Sequence, residues 1–183
     1  SYHEHNELAA GRRILGLLDA GVSVAVCSNA GYPGVSDPGF RIVSGAIEAG
    51  HDVIALPGAS AVHVALVQSG LPTSSYVFKG FPPRKSGARR RFLALERDLP
   101  HTLVLYESPF RIGALLADAF AELGNRRAAV CIELTKMFED VRRGSLAELA
   151  GAFENTKVKG EITVVIAGNH PKFLDAETAG DAG

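Results

Sequence analysis

The chain has 183 residues, of which 46% are hydrophobic and 21% charged, and its net charge is -1. This length and apolar content allow one large or two small domains. The near-zero net charge argues against a globally basic nucleic-acid-binding protein, although net charge does not exclude local basic patches. No apolar run is long enough to span a bilayer and the first residues do not resemble a signal peptide, so we expect a cytoplasmic protein without membrane contact.

The first part of the chain alternates helix-like and strand-like segments. Periodicity and end signals predict helices over 7–19, 38–49 and 61–69, with strands over 22–27 and 53–56. Because helices separate the strands, we expect parallel strands with crossover helices.

A glycine-rich loop, Cys27–Gly39, follows the first of these strands and reads C-S-N-A-G-Y-P-G-V-S-D-P-G. Its glycines allow close approach of the backbone to a ligand, and Asp37-Pro38 predicts a helix N-terminus with Asp37 as N-cap. The second strand leads into Pro57-Gly-Ala-Ser60, where Ser60 is an expected N-cap. Turns between strand ends and helices are the usual ligand sites of open α/β sheets.

The second part continues the alternation. Strands are predicted over 75–81, 101–107, 128–133 and 161–167, and helices over 86–98 and 109–123, with a further helix that opens on a capping box at Ser145. We place a boundary near residues 71–73, which gives an N-terminal lobe over 1–72, a C-terminal α/β lobe over 73–169 and a flexible tail over 170–183.

Two cysteines lie far apart, and neither belongs to a C-x-x-C motif. We therefore expect buried free thiols at Cys27 and Cys131 and no metal site.

Several ordered motifs carry a resemblance to a known family: S-N-A-G-Y-P-G-V-S-D-P-G-F, L-P-G-A-S-A, F-K-G-F-P-P-R-K-S-G-A-R-R-R, Y-E-S-P-F-R, E-L-T-K and K-G-E-I-T-V-V-I-A-G. Together they resemble the 16S ribosomal RNA (cytidine 2'-O)-methyltransferase family, within the tetrapyrrole methylase superfamily, over about residues 1–168. That family usually has Asp at the position of Asn29 and Thr at that of Tyr32. Its members begin with a strand and a T-P-I-G-N-L-like turn that this chain lacks, so we expect an N-terminally truncated chain with an incomplete first lobe.

The resemblance implies a fold of two α/β lobes with a cofactor cleft between them. It implies S-adenosylmethionine as cofactor, methylation of a cytidine ribose 2'-hydroxyl in small-subunit ribosomal RNA, the small ribosomal subunit as partner and a possible homodimer. The implied cofactor contacts are Ser28, Asn29, Ala30, Gly31, Tyr32, Pro33, Ser60, Ala61, Tyr106, Leu134, Glu161 and Ile162.

A ribose hydroxyl is a weak nucleophile and gains from a group that accepts its proton. Asp37, Glu107 and Glu133 are candidates by type and position, and we prefer Glu107, which closes a strand before a loop. The stretch 79–91 contains no acidic residue and predicts contact with RNA phosphates. Its candidate RNA-binding residues are Arg84, Lys85, Arg89, Arg90 and Arg91.

Two other functions stay open. A methylase of a small tetrapyrrole would share the fold without needing this basic run. A truncated, non-catalytic module that binds RNA or a protein partner would lack a complete cofactor site.

Overall fold

The computed structural model describes residues 1–3 and 5–173 and divides the chain into two units, Ser1–Ser60 and Ala61–Gly183. The division falls before helix α3 (Ala61–Ser69) rather than near residues 71–73. The reason is packing, since Val62, Ala65 and Leu66 of α3 are buried against the sheet of the second unit. Most of the predicted tail over 170–183 lies outside the described residues.

The first unit contains two helices, α1 (Glu7–Asp19) and α2 (Phe40–Glu48). Both were expected, although α2 begins two residues later than predicted. The N-cap of α2 is Gly39, which makes no side-chain cap bond, so the assignment of Asp37 as N-cap is wrong.

The two strands predicted in the first unit are absent. Residues 22–27 and 51–60 carry no assigned secondary structure, so the expected parallel pairing is wrong for the described residues. Strands need a neighbour for their backbone N–H and C=O groups, and these segments belong to no ladder within the described chain. Their large apolar side chains consequently stand exposed, namely Val22, Val24, Val26, Val53, Ile54 and Leu56.

The second unit is a mixed α/β structure, as the sequence predicts. In chain order after α3 come β1 (Tyr76–Phe78), α4 (Ser86–Ala94), β2 (Thr102–Glu107), α5 (Ile112–Leu123), β3 (Arg127–Ile132), β4 (Asp140–Ser145), α6 (Leu146–Phe153), β5 (Ile162–Ile166) and a short 3-10 turn (Pro171–Phe173). The strands form one sheet in the order β1-β2-β5-β3-β4. The β1–β2 pair is parallel and the other three pairs are antiparallel.

Two details of the second unit bear on the sequence predictions. The capping box at Ser145 is confirmed, because its Oγ accepts from the N–H of Glu148 at 3.3 Å and Glu148 Oε2 accepts from the N–H of Ser145 at 2.8 Å. Strand β4 was missed, because its sequence D-V-R-R-G-S is mostly polar and forms an edge strand with solvent on one side.

Both faces of this sheet are covered. Leu103 and Leu105 of β2 join a core formed with α4, α5 and α6, whereas Val104, between them, joins a core formed with α3. Successive strand residues point to opposite faces, so the sheet assigns each side chain to one core or the other. We call these the α5 face and the α3 face.

The two cysteines differ. Cys131 is a buried free thiol, as predicted, and burial raises its pKa to about 11. Cys27 is an exposed free thiol, so the expectation of burial is wrong there. Within residues 1–3 and 5–173, no helix combines the length and the apolar content that crossing a membrane needs.

Candidate functional site

The register of the sheet gathers five strand ends at one edge of the second unit. Glu107 at the end of β2 pairs with Ile162 at the start of β5, which pairs with Ile132 at the end of β3, which pairs with Asp140 at the start of β4. The end of β1 joins the same edge through the parallel pair Phe78 and Val104. We call this the site edge, because the second-unit residues predicted to bind the cofactor lie along it.

Tyr106 and Leu134 lie on the α3 face of the site edge, where both are partly buried. The ring of Tyr106 packs edge-on against Phe78, with 4.8 Å between centroids, and in a tilted arrangement against Phe81, with 5.6 Å between centroids. The structure thus supplies an apolar, aromatic wall that suits a flat heterocycle.

Glu161 and Ile162 follow at the start of β5 and behave differently. Glu161 is exposed, whereas the side chain of Ile162 is buried in the core of the α5 face. Ile162 could therefore meet a ligand only through its backbone.

Lys136 ties the β3–β4 loop to β5. Its Nζ lies 2.9 Å from Glu133 Oε1 and 3.1 Å from Glu161 Oε2. Glu133 Oε1 also accepts from the N–H of Glu161 at 2.8 Å. The ammonium group first and the N–H second lower the pKa of Glu133, and the Glu133 carboxylate in turn raises the pKa of Lys136. An ionised carboxylate so engaged is a weak proton acceptor.

Tyr106 is close enough to this cluster to respond to it. Burial first, and the Glu161 carboxylate second, raise the pKa of Tyr106 above its usual value of 10.0. The phenol is consequently neutral at physiological pH, so it can donate a hydrogen bond but not act as a general base.

Glu107 lies at the site edge but points away from Tyr106. Side chains along β2 alternate between the two faces of the sheet, and Glu107 continues the series Leu103 and Leu105. Glu107 therefore projects to the α5 face, where its side chain is fully buried. Oε1 accepts from the N–H of Ser108 at 2.7 Å and pairs with Arg111 at 2.5 Å. Oε2 is buried without a hydrogen-bond partner in the described chain. The role of Glu107 as a base stays a prediction, and this geometry favours a structural role at the start of α5.

The glycine-rich loop of the first unit is organised around Ser28. Its Oγ donates to the carboxylate of Asp37 and lies 2.9 Å from the carbonyl of Ala30. Across the loop, the phenol of Tyr32 donates to the carbonyl of Leu56 at 2.8 Å. Tyr32 thereby joins the glycine-rich loop to the second segment predicted to be a strand, residues 53–56.

Glycine is required at one point of this loop by close approach. Gly39 has φ +156°, and a Cβ there would stand 2.9 Å from the backbone of Gly34. Gly31 is also left-handed, with φ +71°. Asn29, Ala30 and Gly31 are exposed, while Pro33 is partly buried. Ser60 ends the first unit and Ala61 begins α3, so the structure places these two predicted contacts at a helix start.

The predicted RNA-binding residues divide into two groups. Arg89 is buried and its guanidinium pairs with Asp118 at 2.6 Å and donates to the carbonyl of Arg84. Arg90 pairs with Glu122 at 2.6 Å. These contacts join α4 to α5, so their geometry favours a structural role, and RNA binding by them stays a prediction.

Arg84, Lys85 and Arg91 form the second group. All three are exposed, and none makes an ion pair among residues 1–3 and 5–173. They are the members of the predicted set that the structure leaves available to phosphates.

Sequence reasoning missed Gln68 and Glu139. The amide of Gln68 on α3 donates to Glu139 Oε1 at 3.1 Å, and Glu139 Oε2 accepts from the N–H of Thr135 at 2.5 Å. These bonds connect the β3–β4 loop to α3 across 71 positions of sequence, which no local pattern reveals. The described residues contain no group of three or more side chains suited to a metal ion.

Comparison with known proteins places this architecture in a family. The sequence profile described as Tetrapyrrole (Corrin/Porphyrin) Methylases matches residues 2–150. The chain belongs to the tetrapyrrole methylase family. This confirms the superfamily expected from the motifs.

Two curated relatives are named ribosomal RNA small subunit methyltransferase I. One, from Micromonospora olivasterospora, is 46% identical over 180 residues, which cover 98% of this chain and 58% of the relative. The other, from Mycobacterium bovis, is 52% identical over 163 residues, which cover 87% of this chain and 57% of the relative. The chain therefore spans little more than half the length of these relatives.

Solved structures of the same fold were also found. The methyltransferase CobJ matches with a TM-score of 0.66 at 18% identity, covering 89% of this chain and 72% of its own. Uroporphyrin-III C-methyl transferase from Thermus thermophilus, complexed with S-adenyl homocysteine, matches with a TM-score of 0.56 at 21% identity, covering 91% and 75%. At these identities the likeness shows that the chain shares the fold of these two methyltransferases and carries nothing further.

Proposed function

We propose that this chain forms part of an S-adenosylmethionine-dependent RNA methyltransferase that modifies a cytidine ribose 2'-hydroxyl of small-subunit ribosomal RNA. The observation that carries the proposal is the 52% identity to a relative named ribosomal RNA small subunit methyltransferase I. The family profile and the bound S-adenyl homocysteine in the Thermus thermophilus enzyme support the choice of cofactor.

The residues present fit a nucleoside cofactor. On the second unit, Tyr106 and Leu134 offer an apolar wall, and Glu161 adds a carboxylate next to it. On the first unit, the loop around Gly31 presents exposed backbone. Each set is proposed on the geometry of its own unit, and contact of the cofactor with Ser60, Ala61 and Ile162 stays a prediction.

When bound, S-adenosylmethionine supplies an electrophilic methyl group on a sulfonium. The task of the protein is then mainly to align the ribose hydroxyl with that carbon and to exclude water, because positioning alone contributes several kcal/mol, roughly 7–11 in favourable cases. Tyr106, held neutral, can donate a hydrogen bond at the site edge. Glu107 and Glu133 are already engaged by Arg111 and Lys136, and Glu107 as general base stays a prediction.

The exposed cations Arg84, Lys85 and Arg91 support RNA as a substrate, because they are free to contact its phosphates. A polyanion gains affinity from several unpaired cations through counterion release. Arg89 and Arg90 are occupied within the fold and are left out of the proposed contact set.

Cofactor binding is tested by calorimetric titration of the chain with S-adenosylmethionine, together with Leu134→Asp. We expect heat from the parent chain and a loss of at least tenfold in affinity in the variant, since a carboxylate would replace an apolar contact. Leu95→Asp, at an exposed position directly after the end of α4, is the matched control. Absence of heat from the parent chain would favour the non-catalytic module.

The substrate is tested by methyl transfer from labelled S-adenosylmethionine to small ribosomal subunits and, in parallel, to a free tetrapyrrole. We expect label in the RNA and resistance of one phosphodiester bond to alkaline hydrolysis, because a methylated 2'-oxygen cannot attack its phosphate. Label in the tetrapyrrole alone would favour the tetrapyrrole methylase.

A further inference from the structure

Four large apolar side chains stand in solvent along the site edge of the second unit. Phe81 follows β1 and is 55% exposed, Phe110 follows β2 and is 94% exposed, and Met137 and Phe138, in the loop after β3, are 90% and 76% exposed. Single exposed apolar residues are ordinary, but several on one edge mark an interaction surface. We call these four residues the apolar row.

The loop that carries Met137 and Phe138 is held firmly by its own contacts. Glu133 and Thr135 are left-handed, with φ +49° and +64°. Lys136 bonds both Glu133 and Glu161, and Glu139 accepts from the N–H of Thr135 and from Gln68. Strained conformations of non-glycine residues persist only when their surroundings impose them, and they concentrate at functional sites. The exposure of Met137 and Phe138 is therefore imposed by the fold.

The other two members are also fixed in place. Phe81 packs against Tyr106, which packs against Phe78, so a run of rings extends from the core to the solvent. The N–H of Phe110 donates to Ser108 Oγ at 3.2 Å in a tight turn, which leaves the ring projecting from the start of α5.

The apolar row lies beside unpaired positive charge. Arg84 and Lys85 are exposed on the β1–α4 connection, which also contains Phe81. The guanidinium of Arg91 reaches back along α4, 3.9 Å from where a Cβ on Gly87 would stand. Flat rings combined with free cations match one ligand chemistry well. Unstacked nucleotides place bases on aromatic faces and phosphates on cations.

We infer that the apolar row binds unstacked bases of single-stranded RNA, while Arg84, Lys85 and Arg91 bind its phosphates. The inference rests on the proposed function and extends it, because it states that the RNA segment at the site edge is single-stranded. Strands in a sheet are about 4.8 Å apart. The loops after β1, β2 and β3 therefore span roughly 15 Å, enough for a few nucleotides.

A second copy of the chain is the competing occupant of this surface. A two-fold contact would bring equivalent patches of both copies together. Arg84, Lys85 and Arg91 of each copy would then add like charges at the interface without supplying anions. RNA supplies both the rings and the negative charge, so the observations favour RNA.

The test measures binding of a fluorescein-labelled single-stranded RNA octamer and of a duplex of the same sequence by anisotropy. For Phe110→Ala and Phe138→Ala we expect about a 5- to 150-fold loss of affinity for the single strand each, the range that loss of one base stack produces. Phe110→Trp and Phe138→Trp should restore binding, because the flat face returns. Leu95→Ala, also exposed but at the other end of α4, is the matched control and should leave affinity unchanged.

Salt dependence separates the two kinds of contact. The phenylalanine variants should keep the slope of log affinity against log salt, whereas Arg84→Ala with Lys85→Ala should flatten it. 2-Aminopurine placed in the octamer should lose fluorescence on binding the parent chain and regain it with Phe110→Ala, as stacking is removed.

Three results would overturn the inference: no binding of the single strand by the parent chain, unchanged affinity in both alanine variants, or a dimer that Phe138→Ala converts to monomer in light scattering. Failure of the proposed function has a different signature. In that case no methyl group reaches RNA, while the alanine variants still lose single-strand binding.

Discussion

The two units of this molecule contain similar apolar segments with opposite outcomes. Residues 162–166 of the second unit form β5, buried on both faces between β2 and β3. Residues 22–27 of the first unit have a comparable valine-rich sequence but form no strand, and their valines are exposed. A segment forms a strand only when a neighbouring strand pairs with it, because that neighbour, rather than local propensity, supplies the hydrogen bonds of its backbone N–H and C=O groups.

The largest expected difference between the units is in core substitutions. Leu116→Ala, at a fully buried position of α5, should reduce the free energy of unfolding by roughly 3–5 kcal/mol. Ile54→Ala, at an 81% exposed position of the first unit, should change it by less than about 0.5 kcal/mol. Urea denaturation followed by circular dichroism measures both. Equal losses would show that Ile54 is packed in solution and would remove the contrast.

Breaking an ion pair should also cost more stability in the second unit than in the first, although both losses should be smaller than for Leu116→Ala. Arg89→Ala leaves Asp118 without its buried guanidinium, and we expect a loss of roughly 2–3 kcal/mol. Arg41→Ala in the first unit breaks a pair with Glu7 in which the arginine is 63% exposed, and the cost should stay below about 1 kcal/mol.

The same denaturation experiment also decides the role of Arg89. If Arg89→Ala folded with unchanged stability but lost RNA affinity, the structural role of Arg89 would be wrong. Arg89 would then return to the set of proposed RNA contacts. Arg91→Ala is the matched variant, because it should keep the stability and lose RNA affinity.

Acid should weaken the second unit. Among residues 1–3 and 5–173, the carboxylates with lowered pKa all lie there, at Glu122, Glu133, Glu139 and Glu148. A group with a lowered folded pKa stabilises the fold above its unfolded pKa, about 4.3 for glutamate, and loses that contribution as pH falls through the folded pKa.

Stability measured by urea titration should therefore fall below about pH 4.3, and less steeply in Glu133→Gln. Glu154→Gln, at an exposed position without an ion pair among the described residues, is the control and should follow the parent curve. Parallel curves for all three proteins would remove Glu133 from the acid response.

The smallest expected effect is a difference in reactivity between the two cysteines. Cys27 in the first unit is exposed, whereas burial holds the pKa of Cys131 at about 11. With a thiol reagent at pH 8, one thiol should react quickly and the other only after the second unit unfolds. Cys27→Ser should abolish the fast phase. A fast phase of two thiols would show that the second unit opens readily.

The candidate site was only partly accessible to sequence reasoning. Motif order pointed to Tyr106, Leu134, Glu161 and Ile162, and the structure brings all four to one edge of the sheet. The preference for Glu107 came from its place at a strand end, but the pleat turns its side chain to the α5 face. A residue's sheet face depends on register with neighbouring strands, which a single strand's sequence does not state.

The basic run shows the same limit. From its sequence, 79–91 is one cluster of positive charge, yet Arg89 lies within the fold against Asp118 while Arg91 is exposed. Helical periodicity separates them by two positions, so they face in different directions. Identifying the partner of Arg89 required α5, 29 residues further along the chain.

By itself the sequence determined the helices, the strands of the second unit except β4, the capping box at Ser145 and the family. These depend on local spacing and on ordered motifs, which a linear pattern contains. Only the tertiary structure decided that residues 22–27 and 53–56 remain unpaired, that Glu107 and Arg89 are buried, and that Phe81, Phe110 and Phe138 share one exposed edge. Those facts arise from pairing and packing between distant segments, whose energies depend on which partner each group meets.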